Sequence, residues 1–216
     1  MTIDRILTTA LALLMFVLSA CAPIVLPADA ASLDTGSSSG ETSTFAEKYA
    51  ASGSQADGTK VIEFDVAEDM NRFIFDKDVA YEDGMPADGS SFITRGFLYE
   101  VGTLDGTNGI NPDGSPEFPD KVVGEWICQG YMINDAGHAT GGVWVFSTQF
   151  FQFGDEPGAE TLVTTGYELA DIEIPIARAI TGGSGEYSSA RGESTQMLLG
   201  LNASEGVNLR VQVNVE

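Results

Sequence analysis

From residue 60 onward, apolar and polar positions alternate in short runs, and clusters of Gly, Asn, Asp and Pro break the runs apart. Alternation with a period of two marks a strand with one face turned to a core and one to solvent. The pattern predicts strands over 60–66, 91–104, 122–133, 142–153, 160–169, 172–181, 187–200 and 207–215. Turn chemistry separates several of them: Asp113-Gly114, Asn134-Asp135-Ala136-Gly137, Asp155-Glu156-Pro157-Gly158 and the segment 202–206. No amphipathic helix interrupts the series. Short links make sequential strands antiparallel neighbours, and a set of this size closes economically into an eight-stranded antiparallel β-barrel, although a two-sheet sandwich satisfies the same alternation.

The first residues follow a different pattern. Arg5 precedes an apolar run over 6–18, and Leu18-Ser19-Ala20-Cys21 follows it. The run is shorter than the roughly 20 apolar residues a spanning helix needs, so it reads as an export signal. The Leu-Ser-Ala-Cys string resembles the lipobox of bacterial lipoproteins, which predicts a signal peptide over 1–20 and a lipid on Cys21. Ordinary cleavage within 28–31 is the alternative. Ala22 after the cysteine is not acidic, which favours the outer membrane in a cell that has two. Residues 21–58 are rich in Ala, Ser, Gly, Thr and Asp without a sustained period, the composition of a flexible tether, and 59–216 is left as the folded domain.

Charge narrows the partners. Asp and Glu number 32 against 10 Lys and Arg, a formal net charge of −22. Such a surface repels phosphate backbones, which argues against nucleic acid; it suits either solubility outside the cell or attraction of cations. With Cys21 acylated, Cys128 has no intrachain partner, and in its extended run it is expected to behave as a small buried apolar group. A lone histidine, His138, lies in a Gly-rich turn and is expected at the surface; with one available thiol it cannot make a zinc site. Asp105, Asn108, Asn111 and Asp113 lack the acidic twelfth position of a calcium loop. No phosphate-cradling loop or nucleophile elbow is present, so neither cofactor nor metal is predicted.

The segment Ala179-Ile180-Thr181-Gly182-Gly183-Ser184-Gly185-Glu186-Tyr187-Ser188-Ser189-Ala190-Arg191-Gly192-Glu193 sets a glycine hinge between two strand-like runs, the second resuming at Tyr187. It resembles the GGTGxFxxARG hairpin of dirigent proteins and of the allene oxide cyclase barrel superfamily. The resemblance extends over 91–216 and implies a barrel whose largely apolar lumen holds a small apolar molecule. It further implies cyclisation or coupling steered without a cofactor, or binding alone, and a homo-oligomer, dimer or trimer. Three charged residues are candidates for the chemistry. Arg191 falls on the ARG of the hairpin, and an arginine there could hold a substrate carboxylate or phenolate. Glu125 shares a strand face with Ile127, Gln129 and Tyr131, opposite Trp126, Cys128, Gly130 and Met132; facing inward it would be an acid in an apolar cavity, facing outward a surface carboxylate. Glu100 carries the same ambiguity.

Overall fold

The computed structural model describes residues 60–215. The expected leader, Cys21 and the tether lie outside the described residues. Eight strands follow one another: β1 (Lys60–Phe75), β2 (Ser91–Glu100), β3 (Val122–Met132), β4 (Val143–Phe153), β5 (Glu160–Leu169), β6 (Pro175–Gly183), β7 (Gly192–Leu201) and β8 (Val207–Val215). Each is antiparallel to its sequence neighbour, and β8 returns to β1, so the sheet closes into a barrel in chain order. Closure leaves no free sheet edge.

Every predicted strand is present, several boundaries shift, and the two largest shifts have a physical reason. β1 runs on to Phe75 instead of stopping near Val66, although Asp65, Glu68 and Asp69 lie in its path and all three are buried. The outward-facing ones are covered by residues 101–121, which pack over the outer wall: Leu104 and Ile110 sit against Ala67 and Tyr99. The Leu104 N–H donates to Asp65 (3.0 Å), and Arg210 pairs with the same carboxylate at 2.8 Å. Both faces of β1 are therefore interior, and alternation vanishes there. The second difference is at the glycine hinge. Gly185–Tyr187 is a 3-10 turn and β7 starts only at Gly192, so Tyr187 does not resume the strand. It folds under the barrel instead, its ring 5.2 Å from Phe153. Gly185 has φ +58°, and a Cβ there would lie 2.2 Å from the Ala159 carbonyl oxygen, so only glycine fits.

Along the barrel axis the inward residues form three zones. A floor of Phe64, Phe151, Phe153, Leu162, Ile180 and Tyr187 seals one end, with Phe64 edge-on to Phe151 at 4.9 Å. A polar belt of Ser147, Gln149, Thr164, Arg178, Ser194 and Gln196 crosses the middle, all buried. Above the belt the lumen opens. Lys60 pairs with Val215 at the floor end, so β1 enters and β8 leaves the barrel on the side away from that opening.

Candidate functional site

The upper lumen is a cavity of about 290 Å³. Phe73 and Phe75 from the bent end of β1, Phe92 from β2, Trp126 from β3 and Trp144 from β4 wall it. Phe73 stacks on Phe92 with centroids 5.5 Å apart. Between Asp69 and Ile74 the pairing of β1 with β2 breaks register, and this irregularity turns the two phenylalanines toward the opening. The chain has two tryptophans, and both line this cavity. Their indole N–H groups are buried and donate to no protein atom.

Two carboxyls from opposite walls reach the cavity floor, and their surroundings differ. Glu168 of β5 is enclosed by donors: the Ser147 hydroxyl, the Gln196 amide at 3.1 Å and the Cys128 thiol at 3.5 Å. The Arg178 guanidinium stands 3.7 Å away. Arg178 in turn spends every N–H on the belt, donating to the Thr164 hydroxyl, the Gly166 and Tyr167 carbonyls, and the Ser147 carbonyl and hydroxyl. This pair is a neutralised, fully bonded unit. Glu68 of β1 accepts the Val207 N–H at 2.9 Å and, among the described residues, forms no salt bridge. Burial pushes its carboxyl above the ordinary carboxylate range, and the Glu168 and Asp69 charges push the same way, against hydrogen bonds from Thr94 and Val207. Burial likewise drives the Cys128 thiol well up, so it sits in the wall as an inert group.

Two loops border the opening, 76–90 through Gly84, Met85 and Pro86, and 133–142 through Ala136, Gly137 and Ala139. His138 joins them. Its Nδ1 lies 2.8 Å from Asp135 Oδ1 and its Nε2 2.8 Å from Asp83 Oδ2, so each ring nitrogen faces a carboxylate. The Tyr81 ring packs 4.8 Å from the imidazole. Bonds to Asp135 and Asp83 raise the His138 pKa, and both carboxyls are lowered in return. The histidine is at the surface, as its turn implied.

The residues singled out from sequence lie elsewhere. Strand parity puts Trp126, Cys128 and Met132 inward, so Glu125 takes the outward alternative and is exposed. Glu100 is exposed at the end of β2, and Arg191 is exposed in the turn before β7. None of the three lines the cavity, and the structure does not bring them together. Glu68, Glu168 and Arg178 occupy the interior in their place. One signal for Arg178 was present: in Ile176-Ala177-Arg178-Ala179-Ile180 the charge shares a face with the bulky isoleucines, while the alanines share the other.

No protein-family model and no curated protein matches the chain. Solved structures do. The pterocarpan synthase dirigent protein PsPTS1 superposes with a TM-score of 0.53 at 16% identity, covering 75% of this chain and 97% of its own. The pterocarpan synthase dirigent protein GePTS1 superposes with a TM-score of 0.50 at 14% identity, covering 73% of this chain and 86% of its own. At such identities the likeness is one of fold: the chain shares the closed β-barrel of these dirigent proteins, the fold its glycine hairpin implied.

Proposed function

We propose that this dirigent-like barrel binds a small, mainly apolar molecule in its upper lumen and steers that molecule's cyclisation or coupling without a cofactor. We place it at the cell envelope, held by a lipid on Cys21. The observation that carries the reading is the cavity itself. It lies at the lower edge of the range for small-molecule sites, about 300–1,000 Å³, which suits a molecule of one or two fused rings. Aromatic and thioether walls exclude water and fix orientation, and orientation is what a coupling or cyclisation step needs most. Glu68 is the group able to exchange a proton with the bound molecule. Its raised pKa brings it closer to neutrality, where an acid or base works best. Glu168, tied down by Arg178 and its hydroxyl, amide and thiol donors, serves as the fixed wall against which Glu68 acts.

Tryptophan emission tests this directly, because both emitters line the cavity. Titration with the neutral probe N-phenyl-1-naphthylamine is expected to quench the emission saturably at one probe per chain. Ala139→Phe, which places a ring at the opening, is expected to weaken that binding about tenfold or more while leaving the unfolding midpoint close to wild type. Probe binding that leaves tryptophan emission unchanged, or that ignores Ala139→Phe, would assign binding to the outer surface and sink the lumen reading.

A further inference from the structure

The composition of the cavity wall says what kind of molecule it selects. Three carboxyls line it, Glu68 and Glu168 at the floor and Glu205 at the rim, and no lysine or arginine does. Glu168 is already matched by Arg178 at 3.7 Å. Among the described residues Glu68 has no cationic partner, although it is only 5% exposed. A carboxyl that deep is ordinarily paired, since isolating it from water costs several kcal/mol in its charged form. Five aromatic residues line the same cavity, Phe73, Phe75, Phe92, Trp126 and Trp144, and aromatic faces carry the negative end of the ring quadrupole.

We infer, building on the lumen reading above, that the molecule taken is a flat organic cation, an N-alkylated or protonated aromatic amine, with Glu68 as its counter-ion. Three features of the wall favour positive charge: the aromatic rings, a carboxyl below without a salt-bridge partner among the described residues, and an acid at the rim. The dehydration cost is smallest for a cation whose charge is spread over an aromatic system, which is why the class is an aromatic cation and not a metal ion or a primary ammonium. A fixed positive charge against Glu68 favours its ionised form.

Two probes of matched shape separate charge from burial: 1-methylquinolinium and the neutral 1-methylnaphthalene. Each is titrated into the wild-type protein and followed by equilibrium dialysis and by tryptophan quenching. The cation is expected to bind about tenfold or more tighter than the hydrocarbon. Glu68→Gln is expected to abolish the difference by weakening the cation alone, and Glu68→Asp, which keeps the charge, to retain a preference for it. If the hydrocarbon binds as tightly as the cation to wild type, or Glu68→Gln leaves cation affinity unchanged, the charge inference falls while the lumen reading stands. If neither probe binds or quenches, both fall.

Discussion

Arg178 is the residue on which the barrel's interior polarity depends. It is almost wholly buried, every N–H is bonded, and it neutralises Glu168. Arg178→Met therefore leaves a buried carboxylate without its cation and strips hydrogen bonds from Ser147 and Thr164. The expected loss of stability is about 3–5 kcal/mol, read as a lower urea midpoint. Adding Glu168→Leu removes the stranded charge and is expected to recover part of the loss; a double variant no better than the single would refute the pairing. These residues also mark where the sequence stopped being informative. Arg178 betrayed itself by sharing a face with Ile176 and Ile180. Glu168 did not, because its face of β5, with Glu160, Leu162, Thr164 and Gly166, is the less apolar one, while Val163, Tyr167 and Leu169 share the other. Glu68 was hidden more thoroughly: it lies in Glu-Asp-Met-Asn-Arg, a string that reads as a loop. Only the outer covering by residues 101–121, a contact made from more than thirty residues away, turns that string into strand.

The loops at the opening are tied together by a bridge whose strength is expected to depend on pH. His138 bridges 76–90 and 133–142 through Asp83 and Asp135, Tyr81 packs on the ring, and the Asn134 N–H donates to Asp88. Because the folded His138 pKa is raised, its contribution is fully present below the unfolded value of about 6.5 and is lost as pH rises through the folded value. Asp83 and Asp135 work in the opposite sense, with lowered pKa values whose contribution disappears only when pH falls through them. The bridge is thus strongest in the acid-to-neutral window between these titrations. Stopped-flow entry of N-phenyl-1-naphthylamine is expected to accelerate as pH rises past neutrality in wild type, and His138→Gln is expected to show the faster rate throughout. A pH-independent wild-type rate would mean that the loops do not gate the opening. The strands themselves were legible from alternation and turn residues, down to their number and order. The histidine bridge was not, since sequence spacing gives no hint that Asp83 lies beside His138.

At the scale of the whole molecule, the closed meander makes the first and last strands neighbours, and the seam between them is made from the most distant parts of the domain. Residues 101–121 fasten that seam from outside, through Asp65, Arg210 and the Asn208 amide bound to the Asn108 carbonyl. The lipid expected on Cys21 belongs to this scale too. Cys21→Ser should move the protein from the detergent-dependent membrane fraction to the soluble one, and unchanged fractionation would remove the anchor from the account. The barrel form was legible because alternation, turn residues and the glycine hairpin agree on it. The site was not, because a closed barrel draws its interior from every strand at once, and which face of each turns inward is decided by closure. The pairing of Lys60 with Val215 has a practical corollary. Lys60 and Val215, the two ends of the described domain, lie beside the aromatic floor, so a domain immobilised through either of these points presents its opening to the surrounding liquid, and a tag joined directly there stays clear of whatever enters.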